Sequence, residues 1–306
     1  MNTAQPSTAA MPEVLQHALQ QVETLMFDVV DSEVAVLRDA SRHIISAGGK
    51  RIRPRLVLLA YAAAGGVDPA AAAPIAAAVE LVHTASVVHD DINDHGIVRR
   101  GRPSVNAKWG RTFALLTGDF LFTKVYELMA PFKDLNVILA DATVALVEGE
   151  TLQASAVKEN NFTREVYYRI IAKKTAALFQ ASGELGARLA NGSAEQVKAL
   201  ASFGYNLGLA FQIIDDVLDL TGDTEQLGKT SGIDVEQGRG FAVAHEGVDV
   251  MTSLKEKVLQ GDAIQEAHDQ AQQLVELAIN YLNVLPDSDA KDGLVGLAHL
   301  VIDRSF

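Results

Sequence analysis

Two acidic segments stand out in this chain, Asp90-Asp91-Ile92-Asn93-Asp94 and Asp215-Asp216-Val217-Leu218-Asp219, and both spell Asp-Asp-x-x-Asp. On an α-helix, which turns about 100° per residue, the first, second and fifth positions share one face. Three carboxylates so placed repel one another, so folding alone does not favour them. A hard cation does: Mg2+ is held by one or two carboxylates together with the oxygens of a diphosphate. The plainer reading of an acidic triplet is a solvated helix face. Here, however, Leu81, Val82, Val87 and Val88 precede the first segment, and Phe211, Ile213 and Ile214 precede the second. Matching carboxylate clusters at the ends of apolar helices argue for two walls of one metal site.

Cations accompany them. Lys50-Arg51-Ile52-Arg53, Arg99-Arg100-Gly101-Arg102, Lys173-Lys174, and Lys229 with Arg239 fall near expected helix ends or loops. Taken singly, each is an ordinary surface cluster. Arg99 and Arg100 follow the first acidic segment closely, and Gly228-Lys229 follows the second at a comparable reach. The arginine fork matches phosphate oxygens and lysine supplies a point charge. Carboxylates, Mg2+ and these cations together describe a cradle for a diphosphate. The other inward positions offer Ala, Val, Leu, Ile and Phe, which suits a substrate with a charged head and an apolar tail.

Helices must position these groups. Apolar residues recur at helical spacing from residue 12 to 47, where Gly48-Gly49 stops the pattern. Further helices are predicted over Arg55–Ala64, Ala71–His89 after the start signal Asp68-Pro69, Thr112–Met129, Leu135–Ser155, Arg164–Ala190, Ala194–Leu220 and Ile264–Leu285. Alternating strand patterns are essentially absent. Residues 221–247, rich in Gly, Asp and Thr, read as a long functional loop. The expectation is one all-α domain over residues 11–306, with residues 1–10 mobile.

A net charge of −13 argues against a general nucleic-acid or anionic-membrane binder. Any anionic substrate therefore needs local cations. The absence of cysteine excludes disulfides, thiolate catalysis and Cys-zinc sites, and fits a reducing compartment. Residues 1–13 lack the pattern of a signal peptide, and Pro74, Glu80 and His83 interrupt the long apolar stretch from Ala70 to Val88. A soluble, cytoplasmic protein without a membrane-spanning segment is expected.

These segments resemble the trans-type isoprenyl diphosphate synthases, or polyprenyl synthetases, from about residue 40 to 240. The resemblance rests on Gly48-Gly49-Lys50-Arg51-Ile52-Arg53-Pro54, Glu80 to Ser86, His89-Asp90-Asp91 through Gly101, Gly118-Asp119, Glu148-Gly149-Glu150, Lys174-Thr175, Phe211-Gln212 and Gly228-Lys229. It implies a helical bundle around a central cavity, in which Asp90, Asp91 and Asp94 face Asp215, Asp216 and Asp219 and chelate two or three Mg2+ ions on an allylic diphosphate. Arg99, Lys174, Lys229 and Arg239 are expected to hold that diphosphate. Lys50, Arg53, His83 and Arg100 are expected to bind isopentenyl diphosphate, although a histidine on an apolar helix face is more often a core residue. Lys174, Thr175 and Gln212 then carry the catalytic work, with Thr175 and Gln212 facing the reacting carbons. A homodimer is implied as well.

Product length follows from the helix that carries the first acidic segment. One turn rises roughly 5.4 Å, close to one isoprene unit, so a bulky residue a turn before Asp90 would stop growth early. Ala85 and Ser86 are both small, which lets the tail continue toward Met129 and Phe132 as the floor of the tunnel. With the resemblance to octaprenyl-type members, this predicts a product of about C30 to C50, with about C20 to C25 as the shorter alternative. One segment departs from the family pattern: Gly238 is followed by Arg239-Gly240-Phe241-Ala242-Val243-Ala244 where lysine, threonine and a nearby proline are usual.

Other readings compete. Glu80-Leu81-Val82-His83 fits half of a ferritin-like di-iron site, but no second Glu-x-x-His occurs. A class I terpene cyclase would share the ionisation chemistry without needing Lys50 and Arg53 for a second diphosphate. A noncatalytic subunit of a heteromeric synthase would tend to lose acidic residues that this chain keeps.

Overall fold

The computed structural model describes residues 12–161, 163–221 and 263–303, and these are almost wholly helical. In chain order come α1 (Glu13–Val29), α2 (Ala35–Ser46), α3 (Ile52–Ala63), α4 (Ala73–Asn93), the short α5 (Val105–Trp109), α6 (Arg111–Met129), α7 (Leu135–Glu159), α8 (Arg164–Ile171), α9 (Ala177–Leu189), α10 (Ala194–Thr221), α11 (Ala263–Tyr281) and α12 (Asp289–Ile302). The all-α expectation holds.

Two inner helices carry the acidic segments. Before α4, the Asp68 side chain accepts a hydrogen bond from the Ala70 N–H and opens a 3-10 turn, Pro69–Ala72; Pro74 then occupies the first helical turn, where its missing N–H costs nothing. Ala73, Ile75 to Val79, Leu81, Val82, Ala85 and Val88 are all buried, so α4 is apolar nearly all round, as an interior helix must be. Its neighbours are α1, α3 and α6. The second inner helix, α10, packs on α9 and α11. Its approach to α9 is close enough that a Cβ on Gly204 would overlap the backbone of Phe179. Both inner helices are long and apolar enough to cross a membrane, but 72% and 67% of their apolar windows are buried within this fold. Core membership accounts for their composition.

Three sequence expectations need correction. Residues 12–47 form two helices: Ser32 Oγ accepts from the Val34 N–H and its carbonyl accepts from Arg38, so the chain turns between Val30 and Val34 and lays α2 on α6. Such local side-chain bonds compete with the helical ladder. The expected helix 164–190 is divided by a π turn, Ala172–Ala176, which periodicity does not reveal. The third is a small antiparallel ribbon, Val98–Arg99 (β1) with Arg102–Pro103 (β2). Its two central residues, Arg100 (φ 51°) and Gly101 (φ 72°), are left-handed, as a tight two-residue hairpin requires. That turn sends Arg99 and Arg100 back toward the end of α4. Beyond the regions read in detail, α12 starts where Ser288 Oγ accepts from the Lys291 N–H.

Candidate active site

The first acidic segment sits at the C-terminal end of α4, with Asp94 as the capping residue. Asp91 is fully buried. Its Oδ1 accepts from Arg99 Nη2 at 2.6 Å and Nε at 3.0 Å, whereas Oδ2 is buried with no hydrogen-bond partner. Burial pushes the Asp91 carboxyl above its usual range, and Asp90 and Asp94 add to this; Arg99 opposes it. Burial conversely lowers Arg99, but Asp91, Asp90 and Asp94 together outweigh it and the guanidinium holds its proton more firmly than usual.

Lys174 reaches the same segment from the π turn. Its Nζ lies 3.8 Å from Asp90 Oδ2 and 2.7 Å from Glu150 Oε1, and it donates to Gln153 Oε1 at 2.9 Å. Burial lowers Lys174, yet Asp90 and Glu150 more than reverse it, so the ammonium stays charged. Glu150 is pushed up to about 7, by burial first and by Asp90 second, despite Lys174. The Lys174–Glu150 approach is a charge contact rather than a well-directed hydrogen bond, because Glu150 Oε1 has no bond of proper geometry. Gly149 makes the arrangement possible: a Cβ there would stand 2.5 Å from the Lys174 backbone nitrogen. π turns inside helices commonly mark functional positions.

The next residue along, Thr175, turns to the second acidic segment. Its hydroxyl donates to Gln212 Oε1 at 2.7 Å, and Gln212 Nε2 donates to Asp216 Oδ1 at 2.9 Å, one turn further along α10. Tyr167 of α8 donates to Asp216 Oδ2 at 2.6 Å. Asp216 and Asp219 are buried, and Asp215 is half-buried. Successive residues of one π turn therefore reach both acidic segments, Lys174 the first directly and Thr175 the second through Gln212.

A basic cluster accompanies them. His83 of α4 is ringed by arginines: burial, then Arg53, Arg100, Arg99 and Arg51, hold its imidazole well below the usual range and keep it neutral. Arg100 is lowered too, by burial and by Arg51 and Arg99, although Glu80 opposes them. Cations gathered around a neutral imidazole in this way suit an anion. Arg53 is buried with its guanidinium over the rings of Phe179 and Phe211, 4.5 Å and 5.7 Å from their centroids. Lys50 is exposed. Arg51, left-handed at φ 49°, is structural: it bonds Glu80 at 2.9 Å, Glu23 at 3.3 Å and the Ile45 carbonyl at 3.0 Å, tying α1 and α4 to the end of α2.

Of the chain-length residues, Ala85 and Ser86 are buried on α4, and the Ser86 hydroxyl is turned onto its own helix at the His83 carbonyl. Met129, at the end of α6, is fully buried; Phe132, in the following 3-10 turn, is half-buried against the core. Lys229, Arg239 and the segment Gly238–Ala244 lie outside the described residues, as do residues 1–10 and the loop expected after Thr221.

Sequence reasoning missed two members of this site as individual residues. Glu150 was visible only within Glu148-Gly149-Glu150, and nothing in the sequence distinguishes Tyr167. For a metal, the residues present fit a hard cation: every candidate donor is a carboxylate oxygen, and Asp91 Oδ2 is a buried acceptor without a donor. Among the described residues no three acidic or imidazole groups converge on one point.

Comparison with known proteins gives the family. The polyprenyl synthetase family model matches residues 34–282. Octaprenyl diphosphate synthase of Haemophilus influenzae is 35% identical over 311 aligned positions, 94% of each chain, and the short chain isoprenyl diphosphate synthase of Methanothermobacter thermautotrophicus is 37% identical over 92% of this chain and 94% of its own. Among solved structures, polyprenyl synthase from Caulobacter crescentus, complexed with calcium and isoprenyl diphosphate, superposes with a TM-score of 0.91 at 33% identity, covering 97% and 98% of the two chains. The chain belongs to the polyprenyl synthetase family and is a prenyltransferase of the prenyl diphosphate synthase type.

Proposed function

We propose that this enzyme condenses isopentenyl diphosphate with an allylic diphosphate and releases all-trans polyprenyl diphosphates of about C30 to C50, the length suggested by small residues one helical turn before Asp90. The observation that carries the reading is the π turn, whose adjacent residues reach Asp90 through Lys174 and Asp216 through Thr175 and Gln212. Asp90, Asp91, Asp94, Asp215, Asp216 and Asp219 would hold two or three Mg2+ ions, which would supply positive charge to the departing diphosphate.

The chain's own residues do the rest. Arg99, Lys174, Lys229 and Arg239 bind the allylic diphosphate, so the electron pair of the breaking C–O bond departs onto a neutralised group. Lys50, Arg53, Arg100 and neutral His83 bind the diphosphate of isopentenyl diphosphate, whose double bond attacks the allylic cation. A proton then passes to the released diphosphate. Thr175 Oγ and Gln212 Oε1, 2.7 Å apart, offer oxygens to the cation, and the apolar surroundings exclude the water that would quench it.

The shorter product has specific support in the short chain relative, whereas Ala85 and Ser86 and the octaprenyl relative favour the longer one. We also propose one domain, a cytoplasmic location and a homodimer. The last is supported by exposed Phe113, Leu115 and Leu116 of α6 and Val137, Val144 and Val147 of α7, apolar side chains that a second copy would cover. Incubation with Mg2+, isopentenyl diphosphate and, separately, C5, C10, C15 and C20 primers, with products sized by mass spectrometry, tests the reading. A ladder ending between C30 and C50 is expected; folded protein that elongates no primer would contradict it.

A further inference from the structure

Tyr167 belongs to neither acidic segment and carries no charge, yet it touches the second segment directly. Tyr167 and Asp216 each have just 6% of their surface exposed, and their oxygens lie 2.6 Å apart. A neutral phenol can only donate to a carboxylate. The other Asp216 oxygen accepts from Gln212 at 2.9 Å, and Gln212 is itself oriented by Thr175 at 2.7 Å. A donor on each oxygen fixes the plane of the carboxylate, and a carboxylate oxygen can accept more than one partner, an ion included. Because α8 runs straight into the π turn, residues 167 and 175 hold a single turn of α10 from two levels.

Tyr168 supplies the contrast. Its ring packs edge-on against Tyr167 with centroids 5.5 Å apart, Arg164 lies over its face, and its buried hydroxyl has no hydrogen-bond partner. Of these two adjacent phenols, Tyr167 bonds Asp216, whereas the Tyr168 hydroxyl has no hydrogen-bond partner.

We propose that Tyr167 is a positioning residue for the metal, holding the Asp216 carboxylate in the one orientation that meets the ion. The inference rests on Asp216 being a metal ligand. Groups that orient a ligand in this way are generally worth 10- to 100-fold in metal affinity.

The test is Mn2+ binding to the full chain in the presence of inorganic diphosphate, followed by electron paramagnetic resonance, with thermal unfolding recorded in parallel. Tyr167→Phe keeps the ring and removes only the donor, and Tyr168→Phe controls for loss of a buried hydroxyl. About 10- to 100-fold weaker Mn2+ binding is expected for Tyr167→Phe, with wild-type binding for Tyr168→Phe. Wild-type binding in Tyr167→Phe, alongside weakened binding in Asp216→Asn, would overturn the inference and leave Tyr167 a packing residue. Wild-type binding in Asp216→Asn would instead remove Asp216 as a ligand, so the two failures are distinguishable.

Discussion

Arg99 closes on Asp91, presenting Nη2 and Nε to the same carboxylate oxygen at 2.6 and 3.0 Å while the other oxygen stays buried and without a donor. In the proposed assignment, a cation for phosphate thus neutralises a carboxylate for metal. Lys174 does the same between Asp90 and Glu150. Metal and diphosphate should therefore bind together, each releasing the partner of the other.

That coupling predicts opposite effects of one substitution. At pH 8, Arg99→Gln should tighten Mn2+ binding to the substrate-free protein by several-fold to about tenfold, because a competing charge-assisted bond is gone. The same variant should weaken allylic diphosphate binding. Calorimetric titration with each ligand alone checks both signs, and weaker binding of both would show that the pair serves only to preserve the fold.

Glu150 predicts a pH dependence. Its folded value, about 7, lies above the ordinary glutamate value of 4.5. Between the two the folded chain binds more protons than the unfolded chain, so this contribution to stability is full below about pH 4.5 and is lost as the pH rises through about 7. In metal-free protein the loss should amount to roughly 1–3 kcal/mol. Glu150→Gln should flatten this part of the profile. Unfolding midpoints at pH 5 and pH 7.5 decide it, and an unchanged wild-type-to-variant difference across that interval would contradict it.

Product length should respond to α4. Ser86 is small and turns its hydroxyl back onto its own helix. Ser86→Phe should shorten the product to about C15 to C20, since a ring one helical turn before Asp90 blocks further units. Mass spectrometry of the products is the check, and an unshortened ladder would move the tunnel off this face.

Much of this was legible beforehand, because the strongest signals are local. The spacing within each acidic segment, the alanine-rich run of α4 and the apolar approach to Asp215 require no knowledge of tertiary contacts. What the sequence hides is what crosses between elements. Helical periodicity runs unbroken through Lys173 and Lys174, so the π turn that aims them is invisible. Arg51 and Arg53 look alike in sequence, yet Arg51 is tied up by Glu80 and Glu23 while Arg53 lies over Phe179 and Phe211. Tyr167 acquires its meaning only when α8 meets α10.

The central claim is that both acidic segments act on one diphosphate, and single substitutions in each test it most directly. Asp90→Ala and Asp215→Ala should each reduce turnover of isopentenyl diphosphate with an allylic primer by about a thousandfold or more, the scale of losing a principal electrostatic stabiliser of the transition state, while the circular dichroism spectrum stays that of the wild type. Wild-type turnover in either folded variant would contradict the account.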